Sequence, residues 1–441
     1  MATYKAYSVT DLGPGDGGKG GVVEAISAHL LPHHIIKEGG AQGSHGVVTD
    51  TRSFNFSQWG CATFQNIPTH LSDRFVMSPI GLINEAVALR KVGIYNPYWL
   101  LTANPQCICA TPYHQAWSRL YEISLRDHPH GTVGTGVGKA YRHATESPDD
   151  AIYAKELIDS ELVRKKLVLI RDHVRTMFGD LTVNDILPED EEILNDTHQL
   201  LESTAALNDI TQQFCYVGRQ VQLLDTSEIL KEDGVVVIER SHGVLTDAET
   251  GIKPYVSNLR TLPIFTRQSL AYHGFSGRLV NLGVHRAYEI RHGAGPMPTA
   301  EEKMRKQLLP GSQKDENRWQ GRVRVGALDL MLLHRAIDSC ANEKFDGLCL
   351  TWFDQIRKVG EWRICPAYII NDHLVEPHSQ IPAKSYELAR PIFTSIALSD
   401  PELLTDNNRT FDFCRDILSS FIDIPLRLVS FGPKAKDKFL K

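Results

Sequence analysis

The sequence predicts an α/β fold: a large, mainly parallel central sheet with helices on both faces, a phosphate loop after the first strand, and helical insertions. Three observations predict it. Short apolar segments alternate with longer amphipathic ones, as in strand–helix–strand units. The segment from Val9 to Val22, VTDLGPGDGGKGGV, carries an apolar strand into a glycine-rich turn and on into a helix. Composition is that of a soluble globular protein, with 42% hydrophobic and 23% charged residues among 441.

The elements follow in order. Ala6 to Leu12 is a strand, Val22 to Leu30 a helix, and Ile35 to Lys37 and Phe75 to Ser78 are strands. Ile80 to Val92 is amphipathic and helical, and Trp99 to Ala103 is a strand. The charge-rich region from Asp149 to Lys231 reads as helices, with Asp159 to Phe178 the clearest, and forms a helical insertion. Later strands are Val235 to Glu239, Leu279 to Arg286, Gly347 to Thr351 and Ile364 to Ile370. Leu309 to Lys314 is a surface loop. No linker divides the chain, so residues 1–441 are expected to form one domain.

A net charge of −6 argues against a nucleic-acid binder, which needs a basic face. No apolar run reaches the roughly 20 residues of a membrane span, and no N-terminal signal is visible. The eight cysteines are scattered, which suits a reducing, cytoplasmic setting. Cys107 and Cys109 read as a buried strand rather than a metal site.

The first loop carries the chemistry. Glycines let backbone N–H groups approach an anion, the following helix adds the positive end of its dipole, and Lys19 adds a point charge. Gly13, four residues, Gly18 and Lys19 match a P-loop, but Gly20 stands where Ser or Thr would hold Mg²⁺. Asp16, inside the loop, is the obvious replacement ligand. Further segments follow: GGAQGSHG (39–46), GTVGTGVGKAY (131–141), IERSHGVLTD (238–247), YVSN (255–258), LGVHRAYEIRHGAGPMPT (282–299), LTWFD (350–354) and SFGP (430–433).

In order and spacing these segments resemble the adenylosuccinate synthetase family along nearly the whole chain. The 282–299 segment, like the family's KAYxxRVGxGPxPT, is the most specific. The resemblance implies a GTP-dependent C–N ligase that phosphorylates the 6-oxygen of IMP and displaces phosphate with L-aspartate. It implies Asp16 as base and Mg²⁺ ligand, His45 as general acid, and the Ser44 carbonyl as a second metal ligand. GTP would be held by Gly15, Gly17, Gly18, Lys19 and Gly20. Asp354 would select guanine with Ser430, Gly432 and Pro433. Arg322 and Arg324, two guanidiniums at i and i+2, would take the aspartate carboxylates. Gln42, Thr132, Val133, His242 and Ser257 fall at the acceptor nucleotide. A homodimer is implied, because a partner arginine completes the family's nucleotide site.

The departures cluster on the acceptor. Gln42 replaces an asparagine, Val133 a threonine, His242 a glutamine and Ser257 a threonine. Ser147 falls where the partner arginine stands, with only Arg142 nearby. Trp319 and Gln320 replace a threonine pair, and Trp352 replaces a lysine, placed to stack on guanine. Three readings are open from sequence: an authentic but divergent member; a specialised paralogue acting on a modified purine, another carbonyl acceptor or another amino acid; and a guanine-nucleotide-binding protein without ligase activity.

Overall fold

A computed structural model describes residues 3–309, 311, 316–340 and 343–441. The loop expected over 309–314 lies largely outside the described residues. An 11-stranded sheet forms the centre. Its middle is β1 (Thr3–Asp11), flanked by Gly234–Gly243 on one side and Arg278–Arg286 on the other. Beyond Gly234–Gly243 come β2 (His34–Gly40), Thr69–Met77, Leu101–Ala103 and Gln222–Leu223. Beyond Arg278–Arg286 come Gly347–Thr351, Leu426–Ser430 and Lys438–Leu440. Every ladder is parallel except the last, Leu426–Ser430 with Lys438–Leu440. Parallel strands need crossovers, and the sequence supplies them as helices such as α1 (Lys19–Leu30) and Pro79–Lys91. Pro79 begins its helix where the missing N–H is harmless, and the Ser78 hydroxyl accepts from Gly81 N.

The 149–231 region folds as the helices Ser160–Phe178, Glu191–Glu202, Thr204–Gln220 and Thr226–Lys231, interrupted by the short strand Gln222–Leu223 at the sheet edge. The apolar stripe of Ser160–Phe178 (Val163, Leu167, Ile170, Val174) joins the same core cluster as Val9 and Val22. One expectation is corrected. Ile364 to Ile370 belongs to the strand Glu361–Ile370, which lies outside the central sheet, in a four-stranded sheet with Leu328–Asp329, His373–Val375 and Arg390–Ala397. Its apolar residues pack into a second core with Leu330 and Phe411, and apolar content alone does not say which sheet a strand joins. All eight cysteines are free and buried, and burial pushes the Cys107 and Cys109 thiols up.

Candidate active site

The carboxyl ends of the central strands meet at one edge, where parallel α/β sheets bind ligands. The last residue of β1, Asp11, organises the phosphate loop. Its Oδ1 accepts from Gly13 N at 2.9 Å, and its Oδ2 from Gly17 N at 2.8 Å and Lys19 Nζ at 2.7 Å. Burial opposes ionisation of Asp11, but Lys19 and the two amides hold its carboxyl below the usual range. From the neighbouring strands, Arg286 Nε donates to Asp16 O at 2.6 Å and Thr351 Oγ1 to Gly17 O at 2.6 Å. Asp16 is held at a φ of 58° with its side chain exposed, and His292 Nε2 lies 3.4 Å from Oδ2. A Cβ on Gly20 would stand 2.9 Å from both Gly46 O and His45 Cβ. The second loop therefore fills the space that a P-loop serine or threonine needs.

His45 opens a short strand, His45–Val48, and is buried. Its Nδ1 lies 2.6 Å from Glu239 Oε1. The same carboxylate accepts from Lys37 Nζ at 2.9 Å and from Cys61 N at 2.8 Å. Lys37 and Glu239 are register partners on adjacent parallel strands, so the sheet itself brings them together. Burial works against the Glu239 charge, but Lys37 and His45 override it and keep the carboxyl well below its ordinary value. Burial lowers the His45 pKa despite the Glu239 bond, so the imidazole is neutral near pH 7. Ser44 precedes it in an exposed turn.

Two altered acceptor positions touch each other. Gln42 Nε2 lies 2.5 Å from His242 Nε2, and His242 sits at a φ of 62° near the end of its strand. Burial, then Lys19 and His45, lower the His242 pKa to about 4. In the third loop, Glu122 accepts from Gly131 N at 2.6 Å. The Thr132 hydroxyl turns onto its own loop, accepting from Gly134 N at 3.2 Å, while Val133 is 44% exposed. A Cβ on Gly131 would meet Ala294 N at 2.7 Å, and one on Gly134 the Trp319 ring at 3.0 Å, so the loop is seated on 293–294 and 319. Ser257 Oγ accepts from Leu259 N and its N–H reaches Thr246 O. Arg142 pairs with Glu146 on its own helix, and Ser147 caps that helix.

Arg322 and Arg324 lie on one face of the chain, because Val323 and Val325 between and after them are buried. They have different company. Arg322 is exposed, 3.6 Å from Glu302, whereas Arg324 donates to Gly293 O at 2.7 Å. Arg324 is also the register partner of Arg291, whose Nε donates to Ala294 O at 3.0 Å. Burial, then Arg324, bring the Arg291 pKa down to about 10.

Asp354 opens the helix Phe353–Val359, and its Oδ2 accepts from Gln355 Nε2 at 2.5 Å. The Ser430–Pro433 turn is closed by Ser430 Oγ on Gly432 O and by Lys438 Nζ on the carbonyls of Gly432, Pro433 and Lys434. Lys438 and Asp354 also attract each other. The Trp352 ring carries the Arg286 guanidinium 4.4 Å from its centroid, so that face is not open to a base. Asp11, Glu239, Arg286, Arg291 and Lys438 were not singled out from sequence. The first four stand inside segments quoted for their neighbours, and Lys438 follows the last of them by five residues.

Residues 9–439 match the family model "Adenylosuccinate synthetase". An adenylosuccinate synthetase of Wigglesworthia glossinidia brevipalpis is 26% identical over 440 residues, covering 96% of this chain and 95% of its own. That of Shewanella piezotolerans is 24% identical, covering 97% and 96%. Among solved structures, fully ligated adenylosuccinate synthetase from Plasmodium falciparum superposes with a TM-score of 0.76 at 16% identity, over 99% of both chains. Cyanophage S-2L succinoaminodeoxyadenylate synthetase, bound to dGMP and to dATP as an energy donor, gives 0.57 at 15% identity, over 99% of this chain and 95% of its own. The matches favour neither a guanine-nucleotide-binding protein without ligase activity nor a separate acceptor chemistry. The chain belongs to the adenylosuccinate synthetase family, GTP-dependent ligases that form a C–N bond.

Proposed function

We propose that the chain transfers the γ-phosphoryl group of GTP to the 6-oxygen of IMP and then joins the amine of L-aspartate to that carbon, releasing phosphate. The observation that carries the reading is the convergence over Gly20, where the loop bearing exposed Asp16 abuts the buried His45–Glu239 pair. Oxygen on purine C6 leaves poorly until it is phosphorylated, so the reaction needs a base for the N1 proton and donors for charge growing on the diphosphate. Asp16 takes the N1 proton; its carboxylate is exposed while Arg286 fixes its backbone. His45 serves the diphosphate. Glu239 holds Nδ1, which leaves Nε2 for a phosphate oxygen, and phosphate charge favours the imidazolium that burial disfavours in the empty site.

Gly15, Gly17, Gly18, Lys19 and Gly20 take the phosphates, and Asp354 with Ser430, Gly432 and Pro433 takes guanine. Arg322 and Arg324 take the aspartate carboxylates. Gln42, Thr132, Val133, His242 and Ser257 surround the acceptor. The Asp16 carboxylate and the Ser44 carbonyl suit Mg²⁺, since both are hard oxygen donors on exposed loop residues. When bound, the ion neutralises phosphate charge. The protein acts as a cytoplasmic homodimer, one domain per chain. Incubation with GTP, Mg²⁺, IMP and aspartate, followed by mass spectrometry, tests the reading. Adenylosuccinate is the expected product; its absence with all four present overturns the assignment.

A further inference from the structure

The Asp11 carboxylate takes donors that belong to the phosphate loop. A loop of this kind binds anions because successive N–H groups and a lysine converge on one concavity. Here Gly13 N, Gly17 N and Lys19 Nζ all converge on Asp11, at 2.9, 2.8 and 2.7 Å. The carboxylate is fully buried and Lys19 is 3% exposed. A Cβ on Gly17 would stand 2.8 Å from Asp11 Oδ2, so the loop is wrapped tightly around the carboxylate. Lys19 has no other printed partner among the described residues, and its whole charge is balanced inside the protein.

We propose that Asp11 is an internal stand-in for phosphate: it holds the empty loop in shape, and GTP binds by taking Lys19 from it. The inference rests on the reading of this loop as the GTP phosphate site. Two consequences follow. The loop needs no ligand to keep its fold, because the carboxylate satisfies the amides that would otherwise be buried without partners. Affinity for GTP is held down, because each binding event gives up a charge-assisted hydrogen bond between Lys19 and Asp11 before it gains one to phosphate. Asp11 touches neither substrate nor reacting atoms; it is a positioning residue that sets how readily Lys19 is released.

The test is the affinity of the full-length protein for GTP, measured by calorimetry without acceptor or amino acid. Asp11→Asn keeps an acceptor for one amide and removes the charge. It is expected to bind GTP about tenfold tighter than the wild type. In a Lys19→Met background the same change is expected to leave the dissociation constant unmoved, which a merely structural role for Asp11 does not predict. If Asp11→Asn does not fold, Asp11→Ser, with a shorter neutral acceptor, replaces it with the same expectation. Unchanged or weaker GTP binding in a cooperatively folding charge-removal variant overturns the proposal. So does equal tightening with and without Lys19, which would reflect only the removal of a negative charge. A wild type that does not bind GTP at all refutes the assignment of the loop instead.

Discussion

Glu239 offers the sharpest test of how the site is built. Glu239→Gln removes one negative charge from a fully buried cluster holding Lys37, His45 and Cys61, with bonds of 2.9 Å to Lys37 and 2.6 Å to His45. Lys37 is 1% exposed, so its ammonium would be left without a counter-charge in the sheet. Breaking a buried ion pair from one side costs about 3–5 kcal/mol, and urea unfolding should show a loss of that size. A carboxamide can also present an N–H to His45 Nδ1, which favours the wrong tautomer, so turnover should fall by about 10²–10⁴. The two effects are separable. Lys37→Met/Glu239→Gln removes both charges and should recover most of the stability, yet turnover should stay low because His45 still lacks its carboxylate. Adenylosuccinate formation by mass, set beside urea midpoints for both variants, decides the matter. If turnover recovers together with stability in the double variant, Glu239 only balances Lys37 and the reasoning about His45 fails.

Asp16→Ala should lower turnover by at least about 10² with an unchanged melting temperature, since the side chain is exposed and makes no bond that holds the loop; normal turnover would remove Asp16 from the mechanism. Asp354→Asn should reduce the preference for GTP over ATP by about tenfold or more in kcat/KM, because one charged hydrogen bond is worth about 1.5–3 kcal/mol; an unchanged preference would place guanine selection elsewhere. Glu24, on α1, is 4% exposed with Oε2 unpartnered, and burial raises its pKa from 4.5 to about 7. Below pH 4.5 it is protonated in both states; as pH rises toward 7 the unfolded chain loses that proton first. Stability should therefore fall by about 2–3 kcal/mol over that window, and the fall should be absent from Glu24→Gln in urea titrations across pH.

The central sheet was legible because its strands are short apolar runs set between amphipathic helices, a pattern that β1, β2 and Gly347–Thr351 obey closely. Glu361–Ile370 obeys it too, yet lies in another sheet, because pairing partners are not written into a strand's own composition. At the site, the loops were legible as glycine runs with one charged residue each. Their supports were not. Asp11 and Glu239 lie at or near the ends of buried strands, and Glu239 meets His45 across 194 residues and Lys37 across 202. A lone carboxylate in an apolar strand gives no sign of which distant cation it serves. The Gln42–His242 contact shows the same limit, since two separate departures from the family pattern turn out to be neighbours.

The crowding at Gly20 restricts how this site can change over time. A hydroxyl-bearing residue there would restore the usual P-loop magnesium ligand, and a single codon change could supply it. Its Cβ, however, would press on the Gly46 carbonyl and the base of His45, both 2.9 Å away. Backbone cannot yield as the tip of a long side chain can, so the substitution would push His45 off Glu239 before the new hydroxyl reached a metal. The two loops are thus mutually exclusive solutions to binding a metal triphosphate. A lineage carrying this arrangement can convert to the other only by rebuilding 39–46 at the same time, which locks the glycine in place by geometry as well as by chemistry.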